Sequence, residues 1–279
     1  MKILILGGTS EAKILAKKLI DIKDIEITYS IAGLVRKAEL NCEVITGGFS
    51  QLGGLTKYLQ QKKIDLIVDA THPFAVKMSL QALRSAQDVS IPCYSFVRPE
   101  WAAQTGDNWS LFAGEEQLLN ELALAINTGS QNVFYTNGQI DRKLAVELDA
   151  IAELNEAFGP ARYIVRSAKE TELPQYAHWL QAIGPFNLAD ELALLKEYEV
   201  DLIVCKNSGG EATKAKLEAA RELGIRVLML QRPILENDTA HNLQTGSMSR
   251  VFNNLDEIFE FISEKCSSDY HRALNYKAD

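Results

Sequence analysis

Apolar residues along this chain gather in short runs rich in Ile, Val, Leu and Tyr, and each run is followed by a stretch whose apolar positions recur at helical spacing. The runs predict strands at 2–6, 25–31, 43–46, 66–69 and 92–97, with helices at about 9–21, 51–61 and 74–87. A second set predicts strands at 132–136, 162–166, 202–205 and 226–230, with helices near 115–126, 140–148, 187–197 and 211–223. Strands that alternate with helices in this way build parallel sheets joined by crossover helices. The stretch 99–110, with two tryptophans and a glycine, reads as a connection between the two sets. Beyond Pro233 the pattern weakens to a short apolar piece at 250–252 and an amphipathic helix across 255–264.

The two sets share landmarks in the same order. Gly47-Gly48-Phe49, a helix and Asp65-Leu66-Ile67-Val68 are matched by Gly184-Pro185-Phe186, a helix and Asp201-Leu202-Ile203-Val204. Each then runs through one more helix and strand into an Arg-Pro pair, Arg98-Pro99 and Arg232-Pro233, while Ser30 and Ser167 close corresponding strands. The expected fold is therefore α/β: two related Rossmann-like domains with mainly parallel sheets and an active-site cleft between them. Their expected bounds are 1–99 for a nucleotide-binding domain and 100–265 for the second domain, with 266–279 a frayed tail.

Length and composition agree with this picture, since 279 residues exceed the usual single-domain size and 47% hydrophobic with 24% charged residues is ordinary for a globular protein. The net charge of −8 disfavours a nucleic-acid partner, which needs a concentrated basic surface. The apolar start, Ile3 to Leu6, is shorter than the core of a signal sequence and ends in glycines, and no later run approaches the length of a spanning helix. The expectation is a cytoplasmic protein with no membrane association. Cys42, Cys93, Cys205 and Cys266 are scattered, and His178, His241 and His271 have no ligand partners nearby, so no protein-bound metal is expected.

The most informative turn is Gly7-Gly8-Thr9-Ser10-Glu11-Ala12, which leaves the first strand and opens a helix. Glycines there let a backbone approach a pyrophosphate, and the free N–H groups of the helix favour its charge. Thr9 and Ala12 stand where G-x-G-x-x-G has glycines, so a plain tight turn capped by Thr9 or Ser10 is the competing reading. The end of the second strand, Ser30 to Lys37, holds no acidic side chain to grip a ribose, and Arg36 and Lys37 lean toward the 2′-phosphate of NADPH unless they only decorate a solvated helix. The fourth strand ends in Asp69-Ala70-Thr71-His72-Pro73-Phe74-Ala75. Pro73 suits a first helical position, which puts Thr71 or His72 at the helix mouth, either as a cap or as a group that orients a ligand or shuttles a proton. In the second half Lys206-Asn207-Ser208-Gly209-Gly210 repeats the order of strand, glycine-rich loop and helix, a second anion site or merely a turn. Tyr58 and Lys62 have the Y-x-x-x-K spacing of short-chain dehydrogenases but lie on the wrong helix for that chemistry.

Taken in order, Gly7-Gly8-Thr9-Ser10-Glu11, Gly47-Gly48-Phe49 with Gly54-Leu55, Asp69 to Ala75, Arg98-Pro99 with Trp101, Gly184-Pro185-Phe186, Lys206 to Gly210, Lys216-Leu217 with Ala219-Ala220-Arg221, and Arg232-Pro233 resemble the precorrin-6A and cobalt-precorrin-6A reductase family of cobalamin biosynthesis. The chain departs from that family's pattern at Gly138-Gln139, where Gly-Arg is usual, and at Asn207, where an acidic residue is common. The resemblance implies NAD(P)H-dependent reduction of one double bond in an acidic tetrapyrrole, with hand-over to neighbouring pathway enzymes, and the expectation of NADPH in preference to NADH rests on Arg36, Lys37 and the missing acidic side chain. It implies a cofactor site of Gly7, Gly8, Thr9, Ser10, Glu11, Ser30, Arg36, Gly47, Gly48, Phe49 and Thr71. It implies a substrate site of His72, Arg98, Lys206, Ser208, Gly209, Gly210 and Arg232, with His72 orienting the substrate or delivering a proton. Two other classes fit two Rossmann-like halves: a non-catalytic carrier of an anionic ligand, and a nucleotide-sugar transferase. Neither would oxidise NAD(P)H.

Overall fold

The computed structural model describes residues 1–33, 39–233 and 248–275. The chain divides into two compact units, one of Met1–Pro99 with Ile234–Asp279, the other of Glu100–Pro233. In the first unit the order is β1 (Lys2–Leu6), α1 (Ser10–Ile20), β2 (Glu26–Ile31), β3 (Glu43–Thr46), α2 (Leu55–Lys62), β4 (Leu66–Asp69), α3 (Val76–Asp88) and β5 (Cys93–Phe96). The second unit contains β6 (Trp109–Phe112), α4 (Glu115–Asn127), β7 (Asn132–Tyr135), α5 (Arg142–Ala152), β8 (Arg162–Ser167), β9 (Ala177–Gln181), α6 (Leu188–Glu197), β10 (Leu202–Lys206), α7 (Ala215–Leu223) and β11 (Arg226–Leu230). The chain then returns to the first unit with β12 (Ser249–Phe252) and α8 (Leu255–Asn275).

Both sheets have six strands, ordered β12-β5-β4-β1-β2-β3 and β6-β11-β10-β7-β8-β9, and every neighbouring pair is parallel. Strand for strand the two orders coincide, with β6 in the second sheet standing where β12 stands in the first. In each sheet that last strand is followed directly by a helix, α4 after β6 and α8 after β12. This arrangement corrects the expected domain bounds. Residues beyond Pro233 belong with the first unit because β5 offers an open edge that β12 fills, Val97 N donating to Phe252 O at 2.8 Å. The expected frayed tail is helical as far as Asn275.

Alternation of side chains along the strands assigns the faces. In the first sheet Ile3, Ile5, Ile27, Val68 and Tyr94 pack with Leu15 and Leu19 of α1 and Ile258 and Ile262 of α8. Leu4, Leu6 and Ile67 face the other way onto Leu55 and Leu59 of α2 and Ala82 and Leu83 of α3. In the second sheet Phe134, Ile203 and Val227 pack on Leu195 of α6 and Leu217 of α7. Where strands differ from expectation, the missed ones are edges: β6 and β9 are only partly buried and lack the continuous apolar run of a central parallel strand. The helix expected at 51–61 is split into a 3-10 turn, Ser50–Leu52, and α2, because Gly53 and Gly54 adopt φ of +81° and +95°.

One aspartate in each unit ties a central strand to its neighbour's start. Asp65 Oδ2 accepts from Lys2 N at 2.7 Å, and Asp201 Oδ2 accepts from Gln131 N at 2.8 Å and Asn132 N at 3.2 Å. Burial pushes the Asp201 carboxyl up from its ordinary value, while those backbone amides pull it down.

The second unit buries an ion pair as well. Arg166, at the end of β8, grips both oxygens of Glu191 on α6, and its guanidinium lies 3.7 Å from the Phe186 ring centroid and 4.7 Å from that of Phe134. With the side chains 6% and 2% exposed, removing one partner leaves a buried charge unpaired. Arg166→Met is expected to lower stability by about 3–5 kcal/mol in urea unfolding, and the double change Arg166→Met with Glu191→Leu to recover most of that loss.

Candidate functional site

Parallel strands all end at the same edge of their sheet, so the loops that follow β1, β4 and β5 collect at one rim of the first unit. At the first of these, Thr9 is the N-cap of α1: its Oγ1 accepts from Ala12 N at 3.1 Å and donates to Ala70 O at 2.9 Å. The hydroxyl thereby holds the β1–α1 turn to the β4–α3 loop, which explains a threonine where a glycine is usual. Gly8 has φ +114° and nothing within 4 Å of where a Cβ would stand, so that side of the turn is open at the N-terminus of α1. Ser10 Oγ donates to Glu11 Oε2 at 3.0 Å, and Arg98 NH1 donates to the same oxygen at 3.0 Å. Arg98 thus neutralises the one carboxylate in the first turn of α1, with both side chains largely buried. These residues fit the pyrophosphate of a dinucleotide: an open glycine, a helix N-terminus and a compensated charge.

Gly7 answers a different demand. A Cβ there would lie 2.2 Å from Tyr29 Cζ, because the Tyr29 ring, 2% exposed, is packed against the turn from β2. Gly8 N donates to the Tyr29 hydroxyl at 3.3 Å. Tyr29 is the residue that reading the sequence missed. Its signal was an aromatic one position before Ser30, facing the same core as Ile27. Ser30 is buried and contributes its backbone, accepting from Gly7 N at 2.8 Å, while Gly47 N donates to Ile31 O at 3.1 Å beside it. Gly47 and Gly48 have φ of +95° and +81° with open space around them, and Phe49 is buried against Tyr58. Arg36 lies outside the described residues.

The β4–α3 loop corrects one expectation. Pro73 is not at a first helical position; α3 starts at Val76, and 72–75 form a separate turn closed by Ala75 N to His72 O at 2.7 Å. Thr71 is held to Asp69 Oδ1 by its N–H at 3.1 Å and its hydroxyl at 2.7 Å. His72 Nδ1 accepts from Phe74 N at 3.3 Å, which in the neutral ring leaves the proton on Nε2.

In the second unit, strand register gives the counterparts. Ile5 pairs with Val68 and Tyr135 with Val204, so Asn137 stands where Gly7 does and Gly138, φ +95°, where Gly8 does. The resemblance ends there. The N-cap of α5 is Asp141, two residues later than in α1, so an acidic cap replaces Thr9. The cavity beside it, about 780 Å³, is lined by Glu115, Asp141, Glu147, Glu170 and Glu172 against a single cation, Lys143. That excess of carboxylates disfavours a pyrophosphate there. Asn137 is buried, and neither its amide nor the Tyr135 hydroxyl finds a partner among the described residues.

The β10–α7 loop is tied down by polar contacts. Lys206 Nζ donates to Asn137 O at 2.7 Å, and burial pushes its ammonium below the ordinary lysine range, Glu115 partly opposing. Asn207 accepts from Trp101 N at 2.9 Å and donates to Trp101 O at 3.1 Å, a pair of roles that an aspartate lacks. Trp101 Nε1 donates to Gly210 O at 2.9 Å, and Gly209 and Gly210 have φ of +63° and +77°. Arg232, the register counterpart of Arg98, donates to the carbonyls of Asn207 and Ser208 at 3.0 Å each. Helix α7 begins at Ala215, later than expected, because 211–214 form turns. The structure therefore gathers Gly7–Glu11, Ser30, Thr71 and Arg98 in the first unit, and Lys206–Gly210 with Arg232 in the second. Among the described residues no three His, Cys, Asp or Glu side chains gather as metal ligands, and no helix is long and apolar enough to cross a membrane.

The fit between Gly7 and Tyr29 is testable. Gly7→Ala drives a methyl into the ring and is expected to cost about 1–3 kcal/mol in urea unfolding, whereas Gly8→Ala meets open space and incurs only the strain of its positive φ.

Comparison with known proteins agrees with this geometry. The model of the family "Precorrin-6x reductase CbiJ/CobK" matches residues 2–263. Precorrin-6A reductase of Rhodococcus erythropolis is 40% identical over 235 residues, 84% of this chain and 90% of its own. Cobalt-precorrin-6A reductase of Priestia megaterium is 30% identical over 258 residues, 86% of this chain and 94% of its own. A solved structure, CobK precorrin-6A reductase, superposes with a TM-score of 0.76 at 29% identity, covering 95% of this chain and 97% of that one. With its two parallel six-stranded sheets and its glycine turn at the start of α1, this chain belongs to the precorrin-6x reductase CbiJ/CobK family.

Proposed function

We propose that the chain reduces one double bond of precorrin-6A, or of its cobalt form, in cobalamin biosynthesis in the cytoplasm, with NADPH in preference to NADH. The observation that carries the reading is the turn at α1, where Gly8 is open, Thr9 caps the helix and Arg98 cancels the Glu11 charge. That turn would hold the pyrophosphate, with Ser30, Gly47, Gly48, Phe49 and Thr71 lining the rim beside it. The NADPH preference rests on the absence of an acidic side chain at 30–37 and on Arg36. A bound nicotinamide supplies hydride, so the protein's own residues have to bind, orient and protonate.

Lys206, Ser208, Gly209, Gly210 and Arg232 would grip the macrocycle's carboxylates, the loop's backbone being fixed in advance by Asn207 and Trp101. His72, with its Nε2 proton, is the candidate for orientation or proton delivery. Product would pass to the next enzymes of the pathway.

The test is anaerobic oxidation of NADPH and NADH with precorrin-6A and with its cobalt form, following the macrocycle's absorption in parallel. Expected are turnover of a macrocycle and, by calorimetry, one nucleotide per chain, since the second unit's counterpart turn is acidic and carries Asn137. If neither macrocycle changes, the catalytic reading fails.

A pH series probes Lys206. Because its folded ammonium gives up its proton earlier than an ordinary lysine, KM for the macrocycle should rise with pH before the ordinary lysine range is reached. Lys206→Arg should keep KM flat there.

A further inference from the structure

We propose that the Tyr29 hydroxyl is a direct donor to the dinucleotide's pyrophosphate, a contact specific to this turn and resting on the nucleotide reading above. The case is an inventory of protons at the β1–α1 turn. Thr9 gives its hydroxyl proton to Ala70 O and Ser10 gives its own to Glu11 Oε2. Gly7 N is spent on Ser30 O. The Tyr29 hydroxyl accepts from Gly8 N, and among the described residues no acceptor takes its proton. The ring is 2% exposed and packed so closely on Gly7 that any side chain there would displace it, so the hydroxyl is fixed at Gly8, where the backbone is open. Burial raises its pKa, which keeps the proton in place at neutral pH. Thr9 in place of the second glycine removes one way for a backbone to approach phosphate, and the phenol held at Gly8 N adds a side-chain donor to the same turn.

Tyr29→Phe keeps the ring against Gly7 and deletes only the hydroxyl. Binding of NADPH, NADH and 2′-AMP to wild type and variant, by calorimetry, separates the outcomes. Expected is a roughly tenfold weakening for NADPH and NADH alike, as for loss of one hydrogen bond to a charged group, with 2′-AMP, which has no pyrophosphate, unchanged. Equal weakening of all three ligands would mean that Tyr29 only shapes the turn, and no weakening at all would mean that the phosphate is held without it; either overturns the proposal while the nucleotide reading stands. If wild type binds none of the three, the nucleotide reading falls and this contact with it. Should Tyr29→Phe unfold, 3-fluorotyrosine at position 29 gives a second readout: its fluorine resonance should move with NADPH and stay put with 2′-AMP, and a resonance indifferent to NADPH overturns the contact.

Discussion

A parallel strand cannot be reached by a tight turn from its neighbour, so every ladder here obliges the chain to cross the sheet and come back. That one constraint sets the rest. It puts helices on both faces, leaves the central strands apolar on both sides, and sends all strand ends to one rim, where the polar loops have to be. It also leaves each sheet with an edge beyond its fifth strand, β5 in one unit and β11 in the other, and in both units a strand from outside the five-strand run closes it.

The central strands were legible because burial on both faces writes itself as an unbroken apolar run, as in Leu66-Ile67-Val68 and Leu202-Ile203-Val204. The edge strands β6 and β9 were not, since Trp109-Ser110-Leu111-Phe112 and Ala177-His178-Trp179-Leu180-Gln181 each bury one face only partly. The landmarks shared by the two halves were visible in the sequence, and the register agrees with them at Arg98 and Arg232. Which strand closes which sheet was invisible, because periodicity describes an element and not its neighbour. At the site, the glycines of the first turn announced themselves. What they make room for did not: nothing in a sequence reveals that Gly7 yields to a ring arriving from the next strand.

The two units use equivalent positions for opposite ends. Gly7 is matched by Asn137, Tyr29 by Val165 and a threonine cap by an aspartate, so the second turn has neither the glycine nor the phenol of the first. Arg98 and Arg232 show the same divergence. The first is turned on a carboxylate of α1, the second on two carbonyls of a loop. One framework thus presents an open glycine turn at a helix N-terminus in one unit and, in the other, a loop held by polar contacts beside a desolvated lysine.

The return of β12 to the first unit has a consequence for synthesis. The second unit is contiguous, so its six strands are all available once Pro233 has left the ribosome. The first unit emerges earlier yet has to wait, its β5 edge unpaired, until Ser249–Phe252 arrive at nearly the end of the chain. The half that starts first finishes last, and in that interval an exposed row of backbone groups is the part of the nascent protein most in need of protection.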